Sequence, residues 1–292
     1  MNRVSRLALA SLAATLLLVG FGGYTRGSES GYGCEDRWPL CEGGLLGGLL
    51  PRADFHMIVE WTHRWIAAMV GLVVLALAVT AWRRRSEMRL AAWLSVAAVA
   101  VVGLQAWIGR LVVANDLDAD LVSVHLGISM TIVGLLAAVG VLTGGVGTVG
   151  DRRWSTLLWV GALGSIVILM LGSYVHNLYV SGWPLVGNEL FPNLGHRLVL
   201  VHFLHRLAAP LMLGFLVYLA RRSHRSGRPV EERRLLWIGV LLFAVNIALG
   251  AAHVFTRVES SLVVASHLLI AALAWTVMVG VSVGSSMRPA DR

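Results

Sequence analysis

Eight apolar stretches, each long enough to cross a bilayer, run along this chain and decide its fold class before any single motif is considered. A spanning helix needs about 20 consecutive apolar residues. Segments of that kind cover Leu7–Tyr24, Val59–Trp82, Leu90–Ala114, Val122–Leu142, Ser155–Val175, Val199–Ala220, Leu235–His253 and Leu262–Gly284. Bulk composition agrees: 57% of residues are hydrophobic and 14% charged, against about 45–50% and about 25% in soluble domains. The expected fold is an all-α polytopic membrane protein of eight transmembrane helices. The first segment follows Arg3 and Arg6, as a signal peptide would. No small-residue cleavage site leads from it to a polar start, so it reads as a membrane anchor.

All 24 basic residues are arginine, and the formal net charge is +8. They fall in short clusters between apolar runs, which argues for topology signals and against a nucleic-acid face. One side of the predicted membrane carries Arg3, Arg6, Arg83 to Arg85, Arg89, Arg152, Arg153, the cluster from Arg221 to Arg234, Arg288 and Arg292. The other carries Asp54, Asp116, Asp118, Asp120, Glu189 and Glu259. By the positive-inside rule both termini are cytoplasmic. The long loop of residues 25–58, with both cysteines, Cys34 and Cys41, then faces outward. In a bacterium that compartment is oxidising and permits a disulfide.

The chain repeats itself. His63-Arg64 matches His205-Arg206, and His125-Leu126 matches His267-Leu268, both at an offset of 142 residues. With ten histidines, composition predicts roughly 0.2 such matches at any chosen offset, and there are two. Trp38-Pro39-Leu40 echoes Trp183-Pro184-Leu185. The expected organisation is an N-terminal four-helix bundle over 1–143, a cytoplasmic linker over 144–154 and a C-terminal four-helix bundle over 155–292. Four crossings give both halves the same orientation, so a pseudo-twofold axis along the membrane normal should relate them.

An ionisable residue within a membrane helix is expensive and points to function. His63, His125, His205 and His267 are each expected about one turn inside the outer end of a helix, at one common depth. Each half has two such helices. Two imidazoles from facing helices suit one iron approached from both sides, which is bis-histidine haem ligation. Zinc wants three or four ligands close together. Structural histidines and a proton pathway remain as alternatives. Arg64 and Arg206 follow two of the histidines and suit either haem propionates or snorkelling to the interface; Arg26, Arg110 and Arg257 have the same two readings. His56, His176, His196 and His253 lie near outer helix ends, and His224 in a cytoplasmic basic loop.

The halves differ chemically. Glu60 stands one turn before His63, where the second half has His202. Cys41 is matched by Val186, and the second half has no cysteine. A carboxylate at Glu60 suits proton relay or pocket shaping, or a salt bridge to Arg64. The cysteines suit loop bracing as well as redox chemistry.

Several stretches together resemble the haem A synthase family. They are Gly22-Gly23-Tyr24-Thr25-Arg26, Ser30-Gly31, the loop from Cys34 through Trp38-Pro39-Leu40-Cys41, Glu60-x-x-His63-Arg64, Gly109-x-x-Val112-Val113, His125-Leu126, His205-Arg206 and Ser266-His267-Leu268. One departure is a residue more than the family's usual spacing between Cys34 and Trp38. The resemblance implies two four-helix bundles and conversion of the C8 methyl of haem O to the formyl of haem A, with haem A destined for cytochrome oxidase. It implies that His63 and His125 hold substrate haem O and that His205 and His267 ligate a resident haem b. It further implies that Glu60 assists the chemistry and that Cys34 and Cys41 form a loop disulfide. Haem O synthase, cytochrome oxidase assembly factors and a second copy of the chain are the partners it suggests, in a bacterial plasma membrane. A dihaem b-type cytochrome for electron transfer, a haem-carrying assembly factor and a transporter are the competing readings.

Overall fold

The structure is a computed structural model that describes residues 2–144, 151–175 and 180–287. Eight α-helices carry the chain: α1 Arg3–Gly27, α2 Phe55–Arg83, α3 Arg89–Ala114, α4 Ala119–Gly144, α5 Arg152–Val175, α6 Arg197–Arg225, α7 Val230–Phe255 and α8 Ser261–Ser286. All eight are long and apolar enough to cross a membrane. Most run a turn or so beyond their apolar cores, because polar caps extend them. Asp54 accepts from the Met57 N–H at 2.9 Å and starts α2. Asp118 accepts from the N–H groups of Asp120 and Leu121 at 3.0 Å and starts α4. Such side chains satisfy the free amides of a helix's first turn.

The helices close into two rings. In the first, α1 packs on α2, α2 on α3, α3 on α4, and α4 returns to α1; α5 to α8 repeat the same circuit. Diagonal helices do not touch: α2 and α4 make no close backbone approach, nor do α6 and α8. The rings meet through α1 with α8, α4 with α8 and α4 with α5, and exchanging the halves maps this pattern of contacts onto itself. Small residues allow the closest approach. Gly23 and Gly27 of α1 lie so near α8 that a Cβ would stand 3.1 Å from the Ala265 Cα and 2.9 Å from the Ser261 Cα. Close backbone contact of this kind is the main source of helix association in lipid, where apolar burial contributes little. Polar ties supplement it: Ser173 donates to Ser123 at 2.8 Å, and the Trp275 indole to the Met130 carbonyl at 3.0 Å.

The arginine clusters are not all solvated topology signals. Arg228 is buried beside the fully buried Glu232, donating at 3.0 and 3.1 Å. Glu232 also accepts from the Trp154 indole, and Arg228 donates to Ser285 at 3.3 Å. This network ties α5, α7 and α8 together at the end remote from the cysteine loop. His176, Arg288 and Arg292 lie outside the described residues.

Candidate functional site: four histidines on diagonal helices

The four histidines lie on the diagonal helices: His63 on α2, His125 on α4, His205 on α6 and His267 on α8. Each is deeper than its apolar segment suggested. His63 and His205 follow the first residue of their helices by eight positions, and His125 and His267 by six. At 1.5 Å per residue that is about 9–12 Å, nearer two turns than one. His63 and His125 thus stand on opposite helices of the first ring, and His205 and His267 on opposite helices of the second. The structure places the four histidines on the helices the repeat singled out, one on each of α2, α4, α6 and α8.

Each imidazole has one closed side and one open side. The Nδ1 atoms of His63, His125 and His267 are buried without a hydrogen bond. His205 directs its Nδ1 at the Ile168 carbonyl at 3.0 Å. No Nε2 among the four is bonded within the described residues, and each residue keeps partial exposure. Imidazole nitrogens of this kind on diagonal helices are a donor set that would suit a haem iron, and His63, His125, His205 and His267 are the residues that would hold it. A backbone carbonyl on Nδ1 is the usual way to hold Nε2 as the ligand atom.

The cysteine loop of the first half is fastened to the helix that carries His63. Cys34 and Cys41 form a disulfide with both residues fully buried. The Cys34 N–H donates to Glu60 Oε2 at 2.7 Å. Glu60 Oε1 accepts from Arg64 Nε at 3.1 Å and Nη2 at 2.5 Å. Arg64 Nη1 donates to the carbonyls of Arg37, Pro39 and Leu40 at 2.7, 3.3 and 3.2 Å. Both oxygens of the buried Glu60 are therefore occupied, and its carboxylate braces the loop. Within the same loop Tyr32 donates to Asp36 at 2.8 Å, which pushes its phenol above the usual range.

Arg206 repeats the grip in the second half. Its Nη1 donates to the Gly182 and Leu185 carbonyls and its Nη2 to the Val180 carbonyl. In both halves, then, the arginine after the histidine holds the Trp-Pro-Leu loop. His202 is buried at the position that matches Glu60. His253 meets His267 edge to face at 5.1 Å. His56 pairs with Ser30 at 3.1 Å, His196 caps α6, and His224 accepts from the Trp237 indole at 3.1 Å. Arg110 lies over the Trp107 ring at 5.5 Å.

Comparison with known proteins adds two findings. The family model described as cytochrome oxidase assembly protein matches residues 5–48 and 49–279. Curated relatives named haem A synthase include one from Bacillus licheniformis, 28% identical over 91% of this chain and 90% of the relative. Another, from Symbiobacterium thermophilum, is 31% identical over 86% of this chain and 85% of the relative. A third, from Alkalihalophilus pseudofirmus, is 28% identical over 88% and 89%.

Proposed function

The chain belongs to the cytochrome oxidase assembly protein family, and we propose that it works there as a haem A synthase, oxidising the C8 methyl of haem O to the formyl group of haem A. The observation that supports this reading is the position of His63 and His125, and of His205 and His267, on diagonal helices of two closed rings. In the reading we favour, the first ring takes substrate haem O between His63 and His125. The second keeps haem b between His205 and His267. A resident haem b supplies a one-electron redox centre.

The protein's own groups position and enclose. Glu60 and Arg64 hold the disulfide loop over the first ring, limiting access of water to the reacting face. Glu60 acts first as a positioning residue, because both its oxygens are bonded. Exchange of a proton between Glu60 and the substrate requires its bond from Cys34 or Arg64 to open. The loop faces the outer side of a bacterial plasma membrane, with both termini in the cytoplasm, as the arginine distribution supports. Haem O arrives from haem O synthase, and haem A passes on to cytochrome oxidase.

The test is to express the chain with a source of haem O, purify it, and identify extracted haems by mass and absorption spectrum. The expected result is haem A from the wild type, and haem O or an intermediate accumulating in Glu60→Ala. Haem b alone, without conversion under oxygen, replaces this reading with an electron-transfer cytochrome. A colourless protein removes both.

A further inference from the structure

We propose that Gly22, Gly109, Gly172 and Gly250 are positioning residues that seat the four imidazoles against the backbone of a neighbouring helix. The inference rests on the haem-ligand reading above and extends it to residues that touch no haem iron.

Each glycine lies on the helix that precedes its histidine's helix: α1, α3, α5 and α7. A Cβ added at Gly22 would stand 3.2 Å from His63 Cε1, and one at Gly109 would stand 3.1 Å from His125 Cε1. The same addition at Gly172 meets His205 Cε1 at 2.9 Å, and at Gly250 it meets His267 Cε1 at 3.3 Å. A distance under 3.0 Å is essentially never seen for a real Cβ, and 3.0–3.4 Å is tighter than nine in ten. All four candidate ligands have this relationship. No other described glycine has an imidazole atom among its nearest neighbours. Proximity to a neighbouring helix alone does not produce it, since Gly20 and Gly161 meet Leu269 and Met278 instead, while Gly103 on α3 and Gly214 on α6 meet nothing within 4 Å.

Helix geometry explains what the missing Cβ achieves. In an α-helix the carbonyl of residue i−4 points along the axis toward residue i. Beside a glycine that carbonyl is left unscreened. Ile168, which accepts from His205 Nδ1 at 3.0 Å, is four residues before Gly172. Asn246, whose backbone approaches His267, is four residues before Gly250. The same spacing assigns the Leu18 carbonyl to His63 and the Gln105 carbonyl to His125, whose Nδ1 atoms are buried and unbonded. Seating Nδ1 there fixes its proton and turns Nε2 toward the interior of the ring, the arrangement an iron ligand needs.

The experiment is an alanine series at the four glycines, with Gly103→Ala and Gly214→Ala as controls. Alanine is the better helix former, so intrinsic propensity does not penalise any of the six. The purified holoprotein is read by the rate of haem loss to a haem acceptor and by the low-spin electron paramagnetic resonance spectrum, which reports imidazole orientation. Gly172→Ala and Gly250→Ala are expected to speed loss of the second-half haem about tenfold or more and to shift its g values. Gly22→Ala and Gly109→Ala should alter only the haem of the first half, and the controls should alter neither. If Gly172→Ala does not accumulate, Gly250→Ala, the mildest contact, decides. Wild-type rates and g values in that variant overturn the inference while leaving haem binding intact. A wild type that binds no haem removes the ligand reading and the inference with it.

Discussion

The backbone N–H of Cys34 donates to Oε2 of Glu60 at 2.7 Å, so the disulfide loop hangs directly from the helix that carries His63. Glu60 is 4% exposed and also holds Arg64, which grips three carbonyls of the same loop. Removing one partner of a buried ion pair costs about 3–5 kcal/mol, because the other is left uncompensated. Arg64 retains some exposure, so Glu60→Ala should destabilise by about 2–3 kcal/mol. Thermal unfolding in detergent measures this, and limited proteolysis should locate the loosened segment within residues 28–53. Wild-type protection of that segment in the variant would contradict the bracing role.

The disulfide is one of two fastenings on that loop. Its covalent ring is short, and loop-closure entropy gives it about 2.5 kcal/mol. Cys34→Ser with Cys41→Ser removes that contribution. It keeps the main-chain donor to Glu60 and the three carbonyls held by Arg64. The double variant should therefore unfold earlier yet retain more haem A formation than Glu60→Ala. Equal loss of conversion in the two proteins would instead place the sulfurs in the chemistry. Extracted haem composition, measured on both after the same expression, separates the outcomes.

Much of the fold is legible in the sequence because the bilayer restricts the choices: eight apolar runs form eight helices, and histidines repeated at one offset fall on corresponding helices of the two halves, α2 with α6 and α4 with α8. The histidine depth was misjudged by about a turn. Asp54 and Asp118 start their helices before the apolar run begins, and hydropathy does not register a cap. The glycine seats escaped the repeat. Gly109 and Gly250 are 141 residues apart while their histidines are 142 apart, and unequal loops separate Gly22 from Gly172 by 150. Arg64 and Arg206 looked equally suited to propionates and to the interface; only folded loops reveal the carbonyls they hold.

Arg206 offers a test of the loop grip in the second half. Its fork reaches the Val180, Gly182 and Leu185 carbonyls, which lie in the second Trp-Pro-Leu loop. Arg206→Met leaves those acceptors to water or to nothing, at about 1–3 kcal/mol. Arg206→Lys keeps the charge but not the planar fork, and should restore only part of the loss. Cleavage within residues 180–196 should rise severalfold in the methionine variant, with the first-half loop of the same molecules unchanged. Equal acceleration in both loops would indicate general unfolding and reject a local grip.

At the opposite end from the histidines, Arg228 and Glu232 test whether the remote end of the second half matters to the proposed haem site. Glu232 is fully buried and accepts from Arg228 and from the Trp154 indole. Glu232→Ala takes the carboxylate from a buried guanidinium and the acceptor from an indole donor at once, for about 3–5 kcal/mol. Arg228→Met with Glu232→Leu removes both charges, and apolar replacements of similar volume are often neutral or stabilising. The double variant should therefore be more stable than Glu232→Ala alone, a coupling that a double-mutant cycle on thermal stability reads directly. The network joins α5, α7 and α8 far along their axes from His205 and His267. The absorption spectrum of bound haem should then be the same in wild type and double variant. A shifted spectrum in a stably folded double variant would mean that the ends of α7 and α8 remote from the histidines set the geometry of the proposed ligand pair, making this ion pair part of that site's support.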